Sequence, residues 1–195
     1  MSHTIKQMDL GNGAEARIFI DRFVENPRDG GCHIGTLWCW HRQYDLGGKA
    51  ERRDSRRPNT HDYDGWEALG KAIARDIKPV VMLPVYLYDH SGLALSTSPF
   101  SCPWDSGQVG FIFVERDKLK EYGAKIATKK VKERMIKTLE AEIEEYAAYA
   151  NGDVYEWGLF VNNDLVDSCS GYYGSDQMDR MFEDAAASLG ALKAS

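Results

Sequence analysis

Positive charge, cysteine, proline and long apolar runs are all scarce in this chain, and each shortage rules something out. Its 24 basic residues are outnumbered by 30 acidic ones, for a net charge of −6. A globally basic nucleic-acid binder is thereby disfavoured, because phosphate contacts need a positive surface. No apolar stretch approaches the ~20 residues that span a bilayer, and the charged N-terminal segment lacks the apolar core of a signal peptide. A cytoplasmic protein with no membrane partner is expected. Cys32, Cys39, Cys102 and Cys169 read as free thiols in a reducing compartment, most of them packed as small apolar side chains. No C-x-x-C or H-x-x-x-H pattern occurs, so the spacing is not that of a zinc knuckle. Repeats, low-complexity tracts and linkers are also missing. That leaves a single domain, 1–195, long enough to bury a core without staples.

What is present is strong local patterning. Hydrophobic residues make up 43% and charged residues 28%, the composition of a globular fold. Residues 1–13 carry little pattern and read as a loose N-terminal tail. Ala16–Phe23 reads as a first strand with Ile18, Ile20 and Phe23 inward, stopped by Asn26-Pro27-Arg28-Asp29-Gly30-Gly31. Cys32–Tyr44, if extended, puts Ile34, Thr36, Trp38 and Trp40 on a core face and His33, Gly35, Leu37, Cys39 and His41 on the other. The most polar stretch, 46–63, reads as a long surface loop. Asp64 and Glu67 form a capping box for a helix from Trp66 to about Ile77, which Pro79 ends. Its Trp66, Leu69, Ile73 and Ile77 share one stripe.

Val80–Tyr88, the turn Asp89–Gly92 and Leu93–Thr97 make a hairpin, with Pro84 marking an edge or a bulge. Val109–Val114 is a further apolar strand, and Lys118–Tyr122 a helical turn closed by Gly123. Thr128 caps the longest helix, to about Ala150, with Val131, Met135, Leu139, Ile143 and Tyr146 on one face. Its lysines precede its glutamates, against the helix dipole, so the glutamates need another use or local partners. Val154–Val161 and Leu165–Cys169 pair around Asn162-Asn163-Asp164, and Ser170–Gly174 reads as a flexible aromatic turn. Ser175 or Asp176 caps a last helix with Met178, Phe182, Ala185 and Leu189 inward. Hairpins with segregated helices predict an α+β fold: a mainly antiparallel sheet with three helices packed on it.

Chemistry concentrates between Leu83 and Val114. Cys102, Trp104, Asp105, Ser106 and Gln108 fall within seven positions. A nucleophilic cysteine needs a base and an orienting group, and His90 and Asp105 supply those residue types. Backbone amides of Asp105-Ser106-Gly107 can donate to an oxyanion. The plainer reading of the same residues is a rigid turn, with Trp104 packed and Asp105 capping backbone amides. As a contact surface, Trp104, Ser106 and Gln108 are joined by the glycine-flanked Tyr172-Tyr173 and by Glu140, Glu142, Glu144 and Glu145. Arg52, Arg53, Arg56 and Arg57 can form a local anion or nucleic-acid contact, with steep salt dependence. Cys32, His33, Cys39 and His41 are clustered donors, and Asp62, Asp64, Asp89, Asp105, Asp164 and Asp167 are scattered acids. Their plainer roles are a mixed strand and a set of turn formers and caps. No metal or cofactor is expected.

GTLWCWHRQYDLGG, LPVYLYDHSGLALSTSPFSCPWDSGQVGFIFV and VYEWGLFVNNDLVDSCSGYYG resemble three blocks of a family of small proteins encoded by phages, prophages and mobile elements. The resemblance extends from Asn26 to Gly174, and the three quoted blocks fall between Gly35 and Gly174. The resemblance implies an accessory gene and brings no catalytic residues and no assigned reaction. By analogy, small acidic accessory proteins of this kind bind a host protein or nucleoprotein complex and block restriction, CRISPR machinery or nucleic-acid metabolism. Such a binding role is the first expectation. A thiol-dependent hydrolase or transferase using Cys102 with His90 and Asp105 is the alternative.

Overall fold

Apolar residues recur at every second position in some segments and every third or fourth in others, and the backbone follows them. The computed structural model describes residues 3–30 and 32–194. The start of the expected tail, Met1 and Ser2, and the last residue of the expected stop, Gly31, lie outside the described residues. In chain order the elements are β1 (Thr4–Gly11), β2 (Ala14–Ile20), β3 (Thr36–Cys39), α1 (Lys49–Arg52), α2 (Gly65–Ile77), β4 (Val81–Asp89) and β5 (Leu93–Ser96). They continue as β6 (Ser106–Val114), α3 (Lys118–Glu121), α4 (Lys129–Asn151), β7 (Val154–Val161), β8 (Asp164–Tyr173) and α5 (Met178–Ala194). The fold is α+β, with every strand pair antiparallel, but the strands divide into two sheets of four rather than one. Correspondingly the chain forms two compact units, Met1–Glu25 with Ala148–Ser195, and Asn26–Ala147.

In the first unit the strand order is β1-β2-β7-β8. Ala14, Ala16 and Ile18 of β2 and Trp157 and Leu159 of β7 form one buried face, covered by Met181, Phe182, Ala185 and Leu189 of α5. Thr4–Gly11 of the expected loose tail is a strand instead. β1 folds back on β2 through Gly11-Asn12-Gly13, all at positive φ, which lets so short a turn close. Ile18 is inward as expected, but Ile20 is exposed and Phe23 is 93% exposed. The chain turns at Asp21, whose carboxylate accepts the Phe23 backbone N–H at 2.9 Å, and this ends the alternation. The expected flexible turn Ser170–Gly174 is mostly strand: β8 runs on to Tyr173, opposite Val154.

In the second unit the order is β3-β6-β4-β5. Gly110–Val114 of β6 is buried throughout, as a central strand covered on both faces must be. Trp38, Phe111 and Phe113 pack against Leu69 and Ile73 of α2, with Trp66 and Ile77 at the margin, so the predicted stripe is the real one. Asp64 stands at the N-cap but its side chain makes no capping bond. Pro84 lies where β4 pairs with β6 alone, ahead of a bulge at Val85/Tyr86 and of the β5 pairing that starts at Tyr86. Thr128 caps α4 by accepting the Val131 N–H. Met135, Leu139, Ile143 and Tyr146 of α4 are buried.

The stretch 46–63 is not a surface loop throughout. Leu46, Gly47 and Gly48 are buried, α1 follows, and the Tyr146 hydroxyl accepts the Gly47 N–H at 2.7 Å. Polar composition misleads here because Glu51 and Arg57 turn their polar groups to internal partners. Among the described residues no helix is long and apolar enough to cross a membrane.

Candidate functional site

The Cys102 loop is pinned at its base. Tyr88 of β4 pairs with Ser106 of β6, and the Asp89 N–H donates to the Asp105 carbonyl at 2.9 Å. Across the loop, the Ser106 hydroxyl donates to the Cys102 carbonyl. The Tyr88 ring centroid lies 5.6 Å from that of Phe100 and 6.1 Å from that of His90. These ties bring together the three residues named from the sequence. The Asp105 carboxylate stands 3.6 Å from His90 Nδ1 and 3.6 Å from Cys102 Sγ. The order is cysteine, carboxylate, imidazole. A nucleophilic cysteine needs the imidazole next to sulfur and the carboxylate behind it. Here the thiol meets the acceptor that would orient a base, not the base.

Trp104 is not the packed residue of a rigid turn. It is 91% exposed. With Asp105 and Gln108 it borders a groove of about 350 Å³ whose other wall is His41, Arg42 and Gln43, with Asp89 alongside. Tyr44 braces that wall. Its hydroxyl donates to Asp89 Oδ2 at 2.9 Å, a bond that raises the Tyr44 pKa, and its ring stacks on His41 at 4.9 Å and 13°. Arg42 and Tyr44 did not stand out in the sequence as site residues, and His41 did so only as one of the clustered donors of its strand. Their one signal was the aromatic and basic density of WHRQY beside the LPVYLYDH strand.

The other candidate contacts separate. Glu140 and Glu144 are exposed and border a small hollow beside Leu95–Ser98. Glu142 is only 6% exposed and is no surface contact. Its carboxylate takes Arg28 Nη1 at 2.9 Å and the Ile34 N–H at 2.8 Å. Glu145 lies 3.8 Å from His33 Nε2. These are the local partners that glutamates at the wrong end of a helix dipole called for. Tyr172 is half-buried: its hydroxyl accepts from Trp157 Nε1 at 3.0 Å and donates to Asp184 at 2.7 Å. Burial, with the Asp184 bond adding, pushes its pKa up to about 12. Tyr173 is likewise half-buried in β8.

Of the four arginines, Arg52 and Arg57 line one cleft and Arg53 and Arg56 do not. Arg56 is held between Asp54 and Glu115, while Arg52 and Arg57 donate to backbone carbonyls. All four cysteines are free. Cys32 is exposed, Cys39 is buried, and His41 stacks on Tyr44, so the donor set of that strand is dispersed. Among the described residues no three His, Cys, Asp or Glu side chains gather as a metal site would require. No protein-family model, no curated protein and no solved structure matches this chain.

Proposed function

We propose that this chain is a binding protein, an accessory protein of a virus or mobile element that engages a host protein or nucleoprotein complex in the cytoplasm and interferes with host defence or nucleic-acid metabolism. The observation that carries the binding role is Trp104, 91% exposed on a loop pinned at both ends. An indole held out in water is a poor stabiliser of its own fold and a strong anchor for a partner. The groove behind it offers acceptors on Asp89 and Asp105 and donors on Arg42 and Gln43, the polar rim such an anchor needs. The net charge of −6 and the three-block resemblance support the accessory role and a basic target surface.

The test is capture from host lysate with wild type, Trp104→Ala and Cys102→Ala. A stoichiometric partner that is lost with Trp104→Ala and kept with Cys102→Ala is the expected result. No partner with any of the three, or one indifferent to Trp104, overturns it.

A thiol-dependent hydrolase or transferase remains as the second reading, because Cys102, Asp105 and His90 do form a chain of contacts. It requires His90 to displace Asp105 at sulfur. Iodoacetamide labelling at neutral pH decides it: an activated thiolate reacts faster than a free cysteine, and His90→Ala must slow that reaction.

A further inference from the structure

A second cleft, of about 510 Å³, opens on the other side of His41 and Arg42. Its wall contains three guanidinium groups, Arg42, Arg52 and Arg57, against one carboxylate, Asp45. Arg28 is matched to Glu51 and Glu142, and Arg56 to Asp54 and Glu115. Among the described residues Arg52 and Arg57 have no such acid partner and bond to carbonyls instead. Arg52 Nη1 donates to the Asp45 and Gly47 carbonyls at 3.0 and 2.6 Å. Arg57 donates to the Cys39 and Arg52 carbonyls, and its guanidinium lies 4.6 Å from the centre of the Trp40 ring. Carbonyls and an aromatic face fix the position of these cations without neutralising them.

Two further features point the same way. Arg57 Nε is buried and has no hydrogen-bond partner. Burial, with the charge of Arg52 adding, holds the Arg57 pKa below its ordinary value, so the pair is electrostatically frustrated as it stands. His41 Nδ1 accepts the N–H groups of Gln43 and Tyr44 at 3.2 Å each, which leaves its proton on Nε2 as a donor. Asn59 Oδ1 accepts the His61 N–H, so the Asn59 amide also has its N–H₂ to offer. The lining is rich in donors and poor in acceptors.

We infer that this cleft is a binding site for a small phosphate-bearing molecule, with Arg42, Arg52 and Arg57 as its anion contacts. A phosphate carries close to two negative charges and several acceptor oxygens, enough to satisfy adjacent guanidinium forks that a single carboxylate cannot. The volume exceeds that of a bare anion and falls in the range of metabolite pockets. The cleft is distinct from the Trp104 groove, with which it shares His41 and Arg42.

Calorimetric titration of the full chain with AMP, a pentose phosphate, pyrophosphate and adenosine tests it. The phosphate compounds bind and adenosine does not. Tighter binding of the esters identifies an organic phosphate as the ligand, and tighter binding of pyrophosphate a free polyphosphate. Arg57→Lys keeps the charge but not the fork and weakens binding about tenfold. Arg42→Glu, at an exposed position, abolishes it. Failure of every phosphate compound to bind overturns the inference. So does binding that survives both substitutions, or equal binding of adenosine. Binding of a short single-stranded oligonucleotide alone, with a steep salt dependence, also overturns it, in favour of a nucleic-acid contact.

Discussion

Arg28 shows how much one buried charge organises. Its side chain is 1% exposed, yet it donates to Glu51, to Glu142 and to the Gly35 carbonyl. Burial opposes that charge, but the two carboxylates more than offset it and hold the Arg28 pKa above its ordinary value. The same carboxylates accept backbone N–H groups from Ile34, Gly35, Leu37 and Gly48, so the cluster fixes the chain entering β3. Glu142→Ala strands part of the guanidinium and two amides. It is expected to cost about 3–5 kcal/mol in urea unfolding, with Glu144→Ala, its exposed neighbour, near neutral. An unchanged midpoint for Glu142→Ala would remove the cluster from any structural role.

Cys39 gives a second prediction at this scale. Burial, with Glu51 adding, pushes its pKa from 9.0 up to about 12. Its folded pKa is raised, so the stability it carries is complete below 9.0 and is lost as pH climbs towards about 12. Unfolding free energy should therefore fall through that alkaline window, and Cys39→Ala should flatten the slope. In the native protein at neutral pH, iodoacetamide should label the exposed Cys32 and Cys169 and spare Cys39, read by mass spectrometry.

Among the elements, β6 sets the tightest constraint. Gly110 sits between Cys39 of β3 and Val85 of β4. A Cβ there would run into the Trp38 carbonyl oxygen and come within 2.9 Å of Cys39 Cα, both backbone, so β3 and β6 would have to part. Gly107, three residues earlier in the same strand, has nothing within 4 Å of a Cβ. Gly110→Ala should lose about 1–3 kcal/mol by thermal denaturation, while Gly107→Ala should melt like wild type; equal melting of the two would refute the close approach. The same scale shows what the sequence could tell. The stripes of α2 and α4, the hairpin at Asn162-Asn163 and the apolar run of β6 are local patterns, and each was legible. β1 was not, because TIKQMDLG is exposed along most of its length and carries no apolar alternation. Its signal was the turn Gly11-Asn12-Gly13. The meeting of Cys102, Asp105 and His90 was legible from the hairpin that separates them, but their order was not. Nothing local marks Glu142 as the partner of Arg28, 114 residues away.

At the scale of the molecule, the division into two units follows from one long-range pairing. β2 pairs with β7, and the whole of Asn26–Ala147 lies in the chain between them. Both strands are apolar on one face and read, residue by residue, like those of the other sheet. Only the partner distinguishes them, and no periodicity encodes a partner. The inserted stretch is continuous and holds its own core of Trp38, Leu69, Ile73, Phe111 and Phe113. It also contains all members of the Arg28–Glu51–Glu142 cluster and both clefts. Its folding is therefore expected to need no pairing between β2 and β7. A fragment of Asn26–Asn151, which keeps α4 whole, should unfold cooperatively in urea and protect the amides of β3, β4 and β6 in hydrogen exchange. The flanking segments are in a different position. Ala16 and Ile18 come from one piece and Trp157, Leu159 and Met181 from the other, so neither piece has a core alone. If the fragment unfolds without a cooperative transition, the chain has one folding unit with two sheets. If it folds, both clefts can be assayed on it, because every residue that lines them lies within it.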